Sequence, residues 1–594
     1  MGHFRNNLRD IHFNLFEVSR LDEYLSSTPF DVDSDTARLI LQEVENMSLG
    51  DFGASFEDAD RNPAELVDGG VRLPESLKRS LDSYYGAGWQ SFSMPPDFGG
   101  AAAPPSLHWA MQEMWAGSNP TAYLTAGTGL MARVIADEGT EEQREFWARQ
   151  MIDRPWGGTM VLTEPDAGSD VGAGTTKAIP VEGDIYHLAG VKRFITSGDN
   201  DYFENIVHLV LARPPDAPPG TKGLSMFIVP KYLVSEDGTI GERNGYVISR
   251  LEDKMGIKAS ATCEMVFGQD SPCVGYLVGG IHDGIRQMFR VIEFARMLIG
   301  AKSLATFSSG YLHALEFAQE RVQGPDMTQA TDKAAPRVAI INHPNVRRML
   351  MLQKAYVEGL RALYYYTAWV HDQSLLRPDD DRWERRQDLL LPLVKGYSSE
   401  KAYELLGQSL QVFGGSGYTK DYPLEQYIRD VKIDSLYEGT TGIQALDLFF
   451  RKIIRDRGET LQDLLTEIHE FVKAGEAEDS LADERELLGA ALEDLRGQLE
   501  VMVSHSMGYL QEPAEIYKTG LHANPFLESL AEVVIGWLLL RHAEVALAAL
   551  NGQDEADRHF YEGKVASARF FARHALPGVA SRRQMAEQED GSLM

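Results

Sequence analysis

Apolar residues recur at helical spacing through the first quarter of the chain and again through its second half, while the stretch between them alternates along the backbone. "DTARLILQEVENM" (35–47) and "TEEQREFWARQMID" (140–153) place apolar side chains three and four residues apart, which predicts amphipathic helices. Thr140 followed by acids gives the second a start signal. Breaks such as "MPPDFGGAAAPP" (94–105) separate them. From about 156 to 275 the texture becomes "WGGTMVL", "VHLVLA" and "LSMFIVP", divided by turn-rich pieces such as "RPPDAPPGTKG" (213–223), and it predicts an antiparallel β segment set into a helical protein. Long helices return from Asp283 to about Arg457, and the apolar pattern of 283–322 outruns a typical globular helix. "GPDMTQATDKAAPR" (324–337) reads as a polar loop. An acidic, linker-like run at 473–488 then leads into further amphipathic helices. In 476–500 Arg485 and Arg496 are the only bases, which predicts a solvated face. The apolar run "VVIGWLLL" (533–540), between Glu532 and Arg541, is too short for a bilayer span and reads as buried helix.

Composition narrows the class. A chain of 594 residues outgrows a single core, and 43% hydrophobic with 24% charged residues is the balance of an ordinary soluble globular protein. A net charge of -31 disfavours nucleic acids and anionic membranes as partners. The first 25 residues carry charges every few positions and lack the apolar block and cleavage site of a secretion signal, so a cytoplasmic location is expected. Only Cys263 and Cys273 occur, without CxxC, HExxH or a histidine cluster. Neither a disulfide framework nor a metal site is predicted, and the thiols read as buried and inert.

Three short motifs carry candidate chemistry. In "MVLTEPDAGSDVGAG" (160–174) a strand ends in Thr163, Pro165 turns the chain, and Ala167, Gly168 and Ser169 leave backbone N–H groups uncovered, which makes either an anion cradle or a surface turn. In "GVKRFITSGDND" (190–201) Phe194 precedes Thr196 by two, a spacing that suits a planar heterocycle or plain core. The third, "QVFGGSGYTKDYPLEQYIRDVKIDSLYEGTTGIQ" (411–444), joins a glycine turn to Tyr437-Glu438-Gly439-Thr440. Glu438 there is either a helix-start residue or a base. The tripeptide recurs as Tyr561-Glu562-Gly563, but without the Thr-Thr-Gly-Ile-Gln that follows the first copy and inside a helical pattern between Arg558 and Lys564, so the second copy reads as structural.

In this order and with these intervals the motifs closely resemble the acyl-CoA dehydrogenase family of flavoenzymes, over residues 40–457. With "HFNLFEV" near the N-terminus, residues 460–594 resemble the extension of long-form members, a group that includes 3-methylthiopropanoyl-CoA dehydrogenases. The resemblance implies an α+β fold: an N-terminal extension (1–38), an α-helical domain (39–155), an antiparallel β-barrel-like middle domain (156–278), a helical bundle with the catalytic glutamate (279–458) and a C-terminal helical extension (459–594). It implies FAD-dependent α,β-dehydrogenation of a fatty acyl-CoA to the trans-2-enoyl-CoA in β-oxidation, with electrons passed to an electron-transfer flavoprotein. Met160, Leu162 and Thr163 would border the flavin, with Gly168 and Ser169 at the pyrophosphate and Phe194 and Thr196 across the ring. Arg321, Gln411, Gly414 and Gly415 match positions that complete the adenine half across a dimer, and Thr440 also matches the cofactor set, while Gly442 stands where the family often has a polar residue. Ser169, Glu293, Arg296 and Gly439 would face the substrate, although Glu293 and Arg296 also fit plain surface helix charges. Because the extension covers surface that shorter members use to pair dimers, a homodimer is expected.

The α-proton of a thioester is weakly acidic, so its removal needs a nearby base and donors on the developing enolate oxygen. In the family the motif's glutamate is that base, and its own N–H helps to hold the thioester carbonyl. Some members carry the base on another helix. Aligning "VIEFARMLIG" by its arginine puts Ala295 there, which leaves Glu438. An acyl-CoA oxidase, a dehydrogenase for a short acyl-CoA such as 3-methylthiopropanoyl-CoA, and more remotely a DNA-associated flavoprotein remain alternatives, the last opposed by the acidic C-terminal part.

Overall fold

The computed structural model describes residues 2–475, 480–550 and 555–594. The chain folds as two compact units: Asp35–Ala103 and Met114–Ala295, with the first residues of the chain, form one, and Arg5–Ser34, Pro104–Glu113 and the chain from Arg296 onward form the other.

The first unit combines helices with an eight-stranded sheet. Its strands run in the order Tyr246–Leu251, Thr262–Phe267, Ile185–Thr196, Cys273–Leu277, Ser225–Pro230, Asn205–Ala212 and Trp156–Val161, with Lys177–Glu182 also paired to Ile185–Thr196. Most neighbours are antiparallel, but Trp156–Val161 runs parallel to Asn205–Ala212, a pairing that 43 residues of intervening chain make possible and that no local pattern announces. Asn205–Ala212 and Ser225–Pro230 are buried at every position, because both of their faces are covered. Thr262–Phe267 and Cys273–Leu277 alternate between buried and half-buried. Met131, Ile135, Trp147 and Met151 from the helices share one core with Val207, Leu209, Leu211, Met226 and Ile228 from the strands. Two glycines allow that approach: a Cβ at Gly157 would meet the Phe203 ring at 2.5 Å, and one at Gly158 would meet Met131 at 2.6 Å. Thr140 caps its helix in a reciprocal capping box with Gln143. Cys263 and Cys273 are free and buried, and burial pushes both thiols up to about 12.

The second unit is helical. The expected polar loop at 324–337 is in part a hairpin, Val322–Pro325 with Arg337–Ala339. The helix Arg382–Pro392 passes at its proline into a π turn, Leu393–Tyr397, and then into the helix Ser398–Phe413. Proline lacks the N–H that the α ladder needs, which accounts for the change of pattern there. The C-terminal helices belong to the same body as the bundle. Glu515–Leu550 is apolar and long enough to cross a membrane, but Phe526, Leu530, Val533, Ile535 and Trp537 along it are buried inside the unit. A Cβ at Gly359 would lie 2.5 Å from Ile535, and one at Gly396 would lie 3.2 Å from Leu527. Phe13 of the N-terminal segment packs edge-on against His542, Phe560 and Tyr561. Positions 476–479 of the acidic run lie outside the described residues. Its continuation is not all solvated face, since Glu484 is buried and paired with Arg573 at 2.6 Å.

Candidate active site

In the first unit two of the three motifs fold against each other. The strand ends at Val161, two residues before the expected Thr163. Beyond it Glu164 and Ala167 exchange backbone hydrogen bonds of 3.1 Å around Pro165-Asp166. The Thr163 carbonyl accepts from the Arg193 N–H at 2.9 Å, and the Leu162 carbonyl accepts from Lys192 Nζ at 2.8 Å. The loop is thereby tied to the strand that carries Phe194. Glu164 anchors it from beneath, accepting from the amides of Thr175 (2.7 Å) and Thr176 (3.0 Å) and pairing with buried Lys192 at 2.9 Å. Burial alone would raise the Glu164 carboxyl, but Lys192 and these donors bring it to about 2, while burial pushes Lys192 down to about 8.

Phe194 is 55% exposed and sits at a φ of 61°. A left-handed aromatic residue is strained, and here the strain holds the ring in the open, with the Arg193 guanidinium 4.8 Å from its centre. That removes the core reading of Phe194. Thr196 follows two residues later, in register with Thr262. Gly168 and Ser169 are exposed, and a Cβ at Gly168 would meet nothing within 4 Å. Met160 and Leu162 are partly buried against the core. A flat exposed ring beside an unobstructed small-residue turn fits a flavin with its pyrophosphate. Glu293 is partly exposed, 3.9 Å from Arg290.

In the second unit Glu438 stands near the end of the third motif. It takes a φ of 55° and Gly439 a φ of 85°, so consecutive residues occupy the left-handed region. Glycine does this freely, whereas glutamate does so only when its surroundings impose it. Here Gln444 Nε2 donates to the carbonyls of Glu438 (3.1 Å) and Gly439 (3.2 Å), Lys395 Nζ also donates to the Gly439 carbonyl, and Thr440 caps the next helix, accepting from the Ile443 N–H at 3.4 Å. The peptide is gripped, and the Glu438 carboxyl forms no ion pair among the described residues. Glu438 keeps some solvent access, yet crowding by protein desolvates the carboxylate and pushes the group up to about 7, against the opposing pull of Lys395 and Arg296.

The surroundings were only partly foreseen. Arg296 is not a surface charge: it is buried, and its Nη1 lies 2.8 Å from Asp447 Oδ2. Asp434 is buried among Lys302 Nζ (2.6 Å), Ser303 Oγ (3.0 Å) and the Tyr437 hydroxyl (2.9 Å), which fixes the residue next to Glu438. Lys395 and Lys302 lie outside the three motifs, and Asp434 and Gln444 stand inside the third without having been singled out. One signal for Lys395 is present, a single cation inside the apolar run "LLLPLVKGY" (389–397). Arg321, Gln411, Gly414 and Gly415 are exposed, and the Arg321 guanidinium lies 5.1 Å from the centre of the Phe317 ring, which stacks on Phe413 at 4.2 Å. Ala295 is buried. Tyr561 and Glu562 lie in the helix Glu555–His574, where the Tyr561 hydroxyl donates to Glu17 at 2.8 Å and Glu562 pairs with Arg558 at 3.0 Å, so the second tripeptide serves packing.

Four family models match the chain in order: the acyl-CoA dehydrogenase N-terminal domain over residues 61–154, middle domain over 159–269, C-terminal domain over 282–451, and an acetyl-CoA dehydrogenase C-terminal-like domain over 464–594. The broad-specificity linear acyl-CoA dehydrogenase FadE5 of Mycobacterium tuberculosis is 51% identical, over 100% of this chain and 99% of that one. The 3-methylmercaptopropionyl-CoA dehydrogenase of Ruegeria pomeroyi is 34% identical, over 99% and 98%. The fold matches that of a Bacillus anthracis acyl-CoA dehydrogenase complexed with FAD, with a TM-score of 0.72 at 20% identity over 95% of this chain and 90% of that one. The chain belongs to the acyl-CoA dehydrogenase family and is an oxidoreductase of its long form, with the additional C-terminal domain.

Proposed function

We propose that the protein is an FAD-dependent dehydrogenase of linear fatty acyl-CoA thioesters, with Glu438 as the base. The observation that carries this is the Glu438 carboxyl, held up to about 7 on a left-handed turn that Gln444 and Lys395 grip by its carbonyls. Such a group is a carboxylate for part of the time at neutral pH and strong enough to take a proton from the α-carbon. The Glu438 N–H is a donor for the thioester carbonyl, on which charge builds as the proton leaves. Bound FAD supplies the acceptor for the hydride that leaves the β-carbon, so that one C–H pair of electrons forms the double bond and the other leaves with the hydride. Met160, Leu162, Thr163, Phe194 and Thr196 would hold its ring, and Gly168 and Ser169 its pyrophosphate. The substrate class is supported by the identity to a broad-specificity linear acyl-CoA dehydrogenase along the whole chain.

Linear acyl-CoAs from four carbons upward, added anaerobically in a ladder, are expected to bleach the flavin. An electron-transfer flavoprotein is expected to reoxidise it faster than air does. No bleaching by any linear acyl-CoA would overturn the reading, and peroxide release matching turnover with the flavoprotein would move it to an oxidase. We also propose a homodimer in which exposed Arg321, Gln411, Gly414 and Gly415 complete the adenine half of the partner's FAD. Light scattering is expected to give twice the 66.1 kDa protomer mass, and a monomer with full flavin content would sink this proposal.

A further inference from the structure

We infer that Lys395 is the positioning residue of the base: its ammonium holds the Gly439 carbonyl, and with it the turn that carries Glu438, and it places a positive charge toward the carboxyl. This rests on the reading of Glu438 as the base and goes beyond it, because nothing in the reaction requires a lysine there.

Lys395 is completely buried. A buried ammonium is costly unless its surroundings compensate it, and an apolar side chain would fill the same helical position more cheaply. The geometry shows what the cost maintains. Nζ donates to the carbonyl of Gly439, the residue next to Glu438 in the left-handed pair. Gln444, from the helix Thr441–Leu446, donates to the same carbonyl, so two side chains from two elements fix one peptide. Moving that peptide by an ångström would move the carboxyl with it, and misplacement on that scale is costly to catalysis.

The charges around the pair make Lys395 more than a strut. Burial pushes the Lys395 ammonium down to about 8, although Asp434, Glu438 and Glu400 attract it, and Arg296 adds to the lowering. Asp434 is occupied by Lys302, Ser303 and Tyr437, and Glu400 accepts from Thr441 Oγ1 at 2.7 Å. The cations that face Glu438 are Lys395 and Arg296. Arg296 is paired with Asp447, which also lies 3.3 Å from Arg451. Lys395 makes no such carboxylate bridge among the described residues, so its charge acts on Glu438 less cancelled than that of Arg296.

The long-form extension stands behind this device. Lys395 is presented by the π turn Leu393–Tyr397, whose Gly396 leaves only 3.2 Å between a would-be Cβ and Leu527. Tyr397 donates to Glu532 at 3.0 Å. Both partners lie on the helix Glu515–Leu550, so the extension backs the turn that holds the catalytic peptide.

Lys395→Met keeps the length and apolar stem and removes the charge and the donor. With FAD content and thermal unfolding measured alongside, this variant is expected to bleach about ten- to a hundredfold more slowly at its pH plateau. The midpoint of its rate against pH is expected to move up by about one unit, since a cation that favours the carboxylate has been lost. Lys395→Arg is expected to keep the wild-type midpoint while losing rate, because it retains charge but not shape. A Lys395→Met enzyme with bound FAD and an unchanged midpoint would overturn the inference, as would one with an unchanged plateau rate. If Lys395→Met does not fold, the midpoint of Lys395→Arg decides, an altered value counting against the inference. Failure of the wild-type enzyme to bleach would instead remove the underlying reading.

Discussion

Substituting Glu438 by glutamine is expected to slow anaerobic flavin bleaching by a linear acyl-CoA about a thousandfold or more, with FAD content unchanged. Glutamine keeps the length and shape of the side chain, and it tolerates the φ of 55° no worse than glutamate, so the turn and its bonds to Gln444 and Lys395 stay in place. What disappears is the acceptor for the α-proton. The buried carboxylates Asp434 and Asp447 are bound to their own cations, and Ala295, the residue that the family resemblance aligns with the alternative base, has no proton acceptor in its side chain. In the wild type the carboxyl near 7 makes the rate rise with pH through neutrality, because the deprotonated form is the active one. The glutamine variant is expected to lose that limb together with its rate. Glu562→Gln, in the tripeptide that lies in a packing helix, serves as the control and is expected to bleach as the wild type does. A flavin-loaded Glu438→Gln protein that bleached at the wild-type rate would remove Glu438 from the chemistry.

Some of the local backbone around the candidate site was legible. Pro165 and the small residues after it announced the turn at Glu164–Ala167, and Thr140 announced a cap that the fold contains. The helical, β and helical succession followed from periodicity alone. What the sequence hid is set by residues far apart in the chain. The parallel pairing of Trp156–Val161 with Asn205–Ala212 depends on which strands meet, not on either strand's pattern. Arg296 was read as substrate-facing or as a surface charge, and its pairing with Asp447 went unread because that partner lies 151 positions on. Phe194 could not be assigned to core or platform from its neighbours, since the distinction rests on exposure. The small hairpin Glu65–Val67 with Gly70–Arg72 went unread although Asp68-Gly69 is a strong turn signal, taken up here by φ values of 51° and 79°.

The second large effect concerns what ties the N-terminal segment and the extension to the bundle. Arg361 is buried in the helix Pro344–Leu376. It donates to Glu113 (2.7 Å), Asp10 (2.7 Å) and Ser308 (2.9 Å), while Lys564 of the extension pairs with Asp10 and lies 3.6 Å from Glu358. Lys354 pairs with Glu358 in turn, so three acids meet three bases. Burial raises the Asp10 carboxyl, but Lys564 and Arg361 together hold it well below the usual carboxylate range. The stability from Asp10 is therefore present above the unfolded carboxylate value of about 4 and is lost as pH falls through its lower folded value. Arg361→Met leaves three acids facing two bases, with Glu113 retaining only the Tyr365 hydroxyl among these contacts, at 2.9 Å. The expected cost is about 3–5 kcal/mol, the range for stranding one partner of a buried ion pair. It is measured as a fall in the denaturant midpoint at neutral pH. Adding Glu113→Gln removes the stranded charge and restores a balance of two acids to two bases, so the double variant is expected to recover part of the loss. If the double variant is as unstable as the sum of its single changes, the cost lies in lost packing of the long Arg361 side chain, and charge balance is not what the cluster contributes.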